Sequence, residues 1–195
     1  MRIVHTSYWH AGRIWKSRSR LDELQTVLGN LASFIERERI DLVLMSGDLF
    51  DSASPSPEAE RAVTEFFLRV GRAKVPSVAI AGNHDNPARL DAWGLLAGFV
   101  EVRALGLPRP RSKGGFVEIP VRSGETACVA LVPFAPVGRL VEALTLAKDE
   151  TTARQQYADS MQRMFAHLAE GFRPAAVNLL VSHTHVSGAK PTGSE

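Results

Sequence analysis

Only one cysteine, Cys128, occurs in 195 residues, so no disulfide can form within the chain. It lies in the apolar run Thr126 to Val132, where a small buried hydrophobe is expected rather than a reactive thiol. No apolar stretch approaches the ~20 residues needed to span a bilayer, and the N-terminus enters a strand-like segment without a signal-peptide pattern. A cytoplasmic location with no membrane contact is the resulting expectation. Charge of one sign is not in excess either. Lys and Arg number 23 against 21 Asp and Glu, and a formal net charge of +2 is too small to argue for nucleic acid by itself. Internal repeats and low-complexity segments are absent.

What is present is the composition of a folded domain. The hydrophobic fraction is 45% and the charged fraction 23%, and the length suffices for a continuous core. One domain over residues 1–195 is expected. Its elements alternate. Arg2 to Ser7 reads as a strand. From about Ser17 to Arg39, Leu21, Leu24, Val27, Leu28, Leu31, Phe34 and Ile35 recur at helical spacing. Asp41 to Ser46 is a strand buried on both faces, followed by a helix over Glu58 to Arg72 with Ala62, Phe66, Leu68 and Val70 among its apolar positions. Pro76 to Ala81 is a strand and Ala88 to Ala97 a helix. Strands follow at Phe99 to Arg103, Gly115 to Pro120 and Thr126 to Phe134, with a surface loop around Pro108 to Gly115. Helical patterns cover Val137 to Leu146 and Thr151 to Glu170, and Ala176 to Ser182 is a last strand. The fold class is α/β.

Four of these strands empty into polar residues. They are Tyr8-Trp9-His10, Gly47-Asp48-Leu49-Phe50-Asp51, Gly82-Asn83-His84-Asp85 and His183-Thr184-His185, placed where open α/β sheets build their sites. Each has a bland alternative. His10 alone can be a surface histidine, Gly47-Asp48 a turn, Asp51 a local cap, and His183 with His185 the alternating residues of a strand end. Their joint occurrence at successive strand ends favours a metal centre. Two divalent ions need oxygen and imidazole ligands from several segments and one bridging carboxylate. Asp48 suits the bridge, Asn83 offers a carbonyl oxygen, and His10 and His183 offer imidazole nitrogens. His84 can face the phosphate, stabilising its charge or protonating the leaving oxygen. Arg13, Lys16, Arg18 and Arg20 form a basic cluster just after His10. They suit a phosphate-bearing polymer such as DNA, or equally a solvated helix start.

The segments Met1 to Arg13, Gly47 to Asp51 and Gly82 to Asp85 resemble the first three motifs of the calcineurin-like metallophosphoesterases. The opening thirteen residues are most similar to the SbcD nuclease branch, and Ser182 to Ala189 resembles its fourth motif, in which the first histidine binds metal. The resemblance implies a two-sheet β-sandwich flanked by helices, two manganese ions, and exonuclease and endonuclease cleavage of DNA in repair and recombination. It also implies an SbcC-type ATPase partner and a homodimer. The sequence departs from the pattern twice. Tyr8 stands where the family has a metal-binding aspartate, and a phenol with a pKa near 10 is a poor substitute. The later GHxH motif is missing, so the domain is expected to be C-terminally incomplete, with His185 able to rescue one coordination position. Impaired activity follows from both departures. Another phosphatase or phosphodiesterase of the superfamily, or an inactive scaffold binding DNA or a partner, are the alternatives.

Overall fold

A computed structural model describes residues 1–136 and 150–184 of the chain. The expected helix at Val137 to Leu146 lies outside the described residues, and so does His185. Nine strands are described, β1 (Ile3–Thr6), β2 (Ile14–Trp15), β3 (Arg18–Ser19), β4 (Leu42–Ser46), β5 (Ser77–Ile80), β6 (Val102–Leu105), β7 (Phe116–Pro120), β8 (Thr126–Val132) and β9 (Val177–Ser182). The helices are α1 (Leu21–Arg37), α2 (Pro57–Arg72), α3 (Pro87–Ala97) and α4 (Glu150–Ala169).

Strands β1, β4, β5 and β6 form a sheet in the order β1-β4-β5-β6, with every pair parallel. Parallel neighbours need crossovers, and α1, α2 and α3 supply them. A second sheet has the order β7-β8-β9, antiparallel at β7-β8 and parallel at β8-β9. Side chains alternate across each strand, and this alternation assembles the layers. Val43 and Met45 of β4 pack with Ile35, Phe67 and Val70 beneath the helices. Leu42 and Leu44 of the same strand pack with Val78, Ile80, Val129 and Leu131 between the sheets. On the far face of β8, Ala130 and Val132 meet Met161 and Leu168 of α4. The result is a two-sheet sandwich with helices outside, as the resemblance implies.

The helices start where local chemistry permits. Ser56 caps α2, its hydroxyl accepting from the Ala59 N–H at 3.3 Å with Pro57 in the first turn, and Asn86 caps α3 in the same way ahead of Pro87. Three expectations are corrected. Helix α1 begins at Leu21, because Ile14–Trp15 and Arg18–Ser19 pair as an antiparallel ribbon whose turn residues Lys16 and Ser17 both have positive φ. The basic cluster therefore rides a hairpin, not a helix start. Val27 and Phe34 are exposed, since an apolar stripe that wide exceeds the face α1 can bury; in α2, Ala62, Phe66, Phe67 and Val70 are buried and Leu68 is half-buried. The strand expected at Phe99 begins at Val102, after a 3-10 turn over Gly98–Val100 and a left-handed Glu101.

Phe67 stands at the centre of an aromatic group, with ring centroids 5.2 Å from Phe66, 5.3 Å from Trp93 and 5.6 Å from Trp9. Trp9 directly precedes His10, so this packing anchors the β1 loop to α2. Replacing Phe67 with Ala is expected to cost about 3–5 kcal/mol of unfolding free energy, read from urea denaturation. A loss under about 1 kcal/mol would show that the group does not anchor the layer.

Candidate metal centre

The loops after β1 and β4 run side by side. Tyr8 N–H donates to the Gly47 carbonyl at 3.1 Å, His10 N–H to Asp48 at 3.1 Å, Ala11 N–H to Leu49 at 2.9 Å, and Asp51 N–H to Ala11 at 3.1 Å. This ladder holds an unusual backbone. Tyr8, His10 and Asp48 all have φ between 46° and 57°, a region that disfavours residues with a Cβ. Such conformations persist only where surrounding bonds over-determine them, and they gather at functional sites.

The C-terminal ends of β1, β4 and β5 in one sheet and of β9 in the other bring His10, Asp48, Asn83, His84 and His183 together. Asp48 is 1% exposed, His183 6% and His10 7%. Asp48 Oδ2 lies 3.8 Å from His10 Nε2 and 3.6 Å from His183 Nε2. Its other oxygen, Oδ1, accepts from the His84 N–H at 3.1 Å. His183 crosses from the second sheet, and its Nδ1–H donates to the Ser46 carbonyl at 2.8 Å. In the neutral ring that bond leaves Nε2 as a lone pair, which faces Asn83 Oδ1 at 3.0 Å.

These contacts pass a test of fit for a cation. With the amide in this orientation and the His183 ring neutral, a ring lone pair, an amide oxygen and a carboxylate oxygen converge on one point. A positive charge reconciles them. The two Asp48 to histidine distances, 3.8 and 3.6 Å, are too long for hydrogen bonds and a little longer than the roughly 3.0–3.4 Å between ligands each about 2.1 Å from one ion. His10 Nδ1 is buried without a hydrogen-bond partner, 3.4 Å from Asp51 Oδ1. His84 joins His10 and Asp48 in a group whose ligand atoms all lie within 4.8 Å of one another. Its Nδ1–H donates to the Asp51 carbonyl at 3.0 Å, which directs Nε2 away from that carbonyl.

Tyr8 sits over this centre. Its ring centroid is 5.3 Å from that of His183 and 5.9 Å from that of His10, and the residue is 49% exposed. Bulk thus occupies the approach where the expected pattern has a short carboxylate. Arg13, Lys16, Arg18 and Arg20 are all exposed on the ribbon that follows His10. Arg20 is paired with Glu23, whereas Lys16 and Arg18 have no ion pair among the described residues.

Asp85 has a part that its motif alone does not assign. It is 6% exposed, and its carboxylate accepts from the N–H groups of Gly82 at 2.8 Å, Phe50 at 2.9 Å and Leu49 at 3.2 Å. Burial pushes its carboxyl above the usual carboxylate range, the three N–H groups pull it back, and the Asp48 charge adds to the rise. Asp85 is therefore a clamp between the β4 and β5 loops. Its place directly after Gly82-Asn83-His84 was the available signal.

The two glycines have a steric reason. A Cβ on Gly82 would stand 2.0 Å from Asp48 Oδ1, and one on Gly47, where φ is +97°, would stand 2.3 Å from His183 Nδ1. Gly82→Ala is expected to displace the Asp48 carboxylate and weaken divalent-cation binding, titrated with a manganese salt as the probe, by on the order of 10–100-fold in calorimetry. Gly98→Ala, at a helical φ of −57° with nothing within 4 Å of the new Cβ, serves as the neutral control. Equal manganese affinity in the two variants would remove Asp48 from the centre.

The chain is similar to known proteins. The profile of the family described as calcineurin-like phosphoesterase matches residues 1–193. The chain is 37% identical over its whole length to the SbcD component of the SbcCD nuclease from Bacillus subtilis (strain 168), and 28% identical to its counterpart of the same name from Staphylococcus epidermidis (strain ATCC 12228 / FDA PCI 1200). Both alignments cover 100% of this chain and 49% of the relative, so the chain spans about half the length of the curated relatives it matches.

Proposed function

Because the chain belongs to the calcineurin-like phosphoesterase family, we propose that its centre is built to hydrolyse DNA phosphodiesters as the nuclease part of an SbcCD-type complex. The observation that carries this reading is Asp48 Oδ2 standing between His10 and His183, 3.8 Å from one and 3.6 Å from the other, with the two histidines arriving from different sheets. Such a placement suits a bridging carboxylate. His10 and Asp48 would hold one ion, and Asp48, Asn83 and His183 the other. Divalent ions held there, manganese in this reading, would activate water as a nucleophile and offset phosphate charge.

The remaining work falls to side chains of this protein. The Asp48 carboxylate is held by the His84 N–H and lies in the space that the missing side chain of Gly82 leaves open, while Gly47 leaves room for the His183 ring. The Asp51 carbonyl fixes the His84 ring, so that in its protonated form Nε2–H faces the leaving oxygen. Arg13, Lys16 and Arg18 would hold the DNA backbone, with Arg20 giving up part of its charge to Glu23. An ATPase of the SbcC type, a role in double-strand break repair, a homodimer and a cytoplasmic location are proposed from the relatives' identity as components of a nuclease complex. Among the described residues, no helix is long and apolar enough to cross a membrane.

Tyr8 favours a second reading, a DNA-binding scaffold with little hydrolysis. Its ring takes the place of a ligand and covers the centre. The two readings separate on one experiment. Manganese-dependent cleavage of a linear duplex is measured for this chain and for Tyr8→Asp, with a small phosphodiester alongside. Tyr8→Asp is expected to be faster by about 10–100-fold, the range for restoring a group that orients a metal. Equal rates would sink the idea that Tyr8 damages the site. Cleavage of the small ester without cleavage of DNA would instead support another phosphodiesterase of the family.

Asp48→Ala is expected to abolish manganese binding as well as hydrolysis. Retained manganese heat in that variant would overturn the bridging role, and DNA affinity that survives the substitution identifies the scaffold.

A further inference from the structure

The ribbon of β2 and β3 carries a side chain that the proposed mechanism leaves unused. Trp15 is 51% exposed and Ile14 67%, on a two-stranded element that begins shortly after His10. The other two tryptophans are packed. Trp9 meets Phe66 edge-on at 4.9 Å and donates to Thr6 Oγ1, and Trp93 meets Phe67 and donates to Thr64 Oγ1. Among the described residues, the indole N–H of Trp15 has no acceptor.

The ribbon is short and well tied. Arg13 N–H donates to the His10 carbonyl at 2.9 Å, Arg20 N–H donates to the Arg13 carbonyl at 3.0 Å, and Trp15 pairs with Arg18 across the turn. Alternation along the two strands puts Arg13, Trp15, Arg18 and Arg20 on one face. The Arg13 guanidinium confirms the sense, lying over the Trp15 ring at 5.9 Å from its centroid. An aromatic plane ringed by cations, joined to the metal-centre loop through its own backbone, has the charge and shape to receive an anionic strand with exposed bases. A continuous duplex hides its base faces, whereas an unpaired nucleotide presents them.

We propose that the Trp15 face of this ribbon is a stacking platform for an unpaired nucleobase, so that the chain engages frayed or single-stranded DNA next to its centre. Arg13 and Arg18 hold the flanking phosphates, and Trp15 supplies the preference for unpaired over paired DNA. The proposal rests on the reading of the centre as one that acts on DNA. Charge complementarity around an exposed ring is the ground for an unpaired nucleotide as the occupant.

Binding is tested in EDTA, where hydrolysis does not contribute, on the full chain. The probes are an oligothymidylate, the same oligomer with abasic sites, and a blunt duplex. Trp15→Ala is expected to weaken oligothymidylate binding by on the order of tenfold, with Trp15→Phe largely restoring it. The same substitution is expected to leave abasic and blunt-duplex affinities unchanged, and titration of the wild type with oligothymidylate is expected to quench tryptophan fluorescence that Trp15→Ala no longer loses. A matching thermal midpoint for Trp15→Phe and the wild type shows that folding is intact. An equal loss on all three probes would make Trp15 a structural residue and overturn the proposal. Unchanged affinity on all three would also overturn it, assigning the face to a protein partner or a second copy. A wild-type chain that binds none of the probes would overturn the DNA reading of the centre along with it.

Discussion

Asp48 is a carboxylate at 1% exposure, and a charge so far from water has to be met by partners or by a cation. The partners present are one backbone N–H, from His84, and two imidazole edges beyond hydrogen-bond distance. Much of the surrounding architecture follows from keeping that carboxylate in place and in reach. Gly82 and Gly47 lack side chains because the Asp48 oxygens and the His183 ring occupy the space a Cβ would need. The positive φ values at Tyr8, His10 and Asp48 bend three loop residues toward a common point, and four cross-loop hydrogen bonds hold them there.

Behind this layer lies a second one. Asp85 ties the β4 loop to the β5 loop through three backbone N–H groups, and its carboxyl is raised first by burial and then by the Asp48 charge nearby. Two acidic groups in one dry region repel, so both need fixed donors. The aromatic group of Trp9, Phe66, Phe67 and Trp93 supports the first loop from the helix side. Rigidity at the centre therefore depends on packing as well as on hydrogen bonds. Tyr8 is the exception within this frame, an exposed ring at a position whose backbone is held as firmly as that of His10.

Much of the fold is legible in the residues. The unbroken apolar run of Leu42 to Met45 and the helical spacing in α1 and α2 foretell their burial, and Ser56-Pro57 and Asn86-Pro87 mark helix starts by capping chemistry. Legibility fails where local rules compete. Residues Arg13 to Arg20 carry no apolar alternation, so the ribbon stays hidden until two positive φ residues close its turn. Val27 and Phe34 obey helical spacing yet face solvent, since the width of a buried stripe is decided by the neighbouring helix and not by the sequence of α1.

At the centre the division is sharper. The sequence by itself determined which residue types stand at the strand ends, because buried strands broken by Gly-Asp and Gly-Asn-His-Asp have few bland explanations. It also determined that Tyr8 is a phenol where a carboxylate is expected. Only the tertiary structure decided that His183 reaches Asp48 from the second sheet, that Asp85 clamps two loops, and that the Tyr8 ring lies over the centre. Those facts join residues far apart in the chain, as in the bond from His183 to Ser46 across 137 positions and the ring contact of Tyr8 with His183. Distances of that kind come from the packing of one sheet on another, which no local pattern encodes.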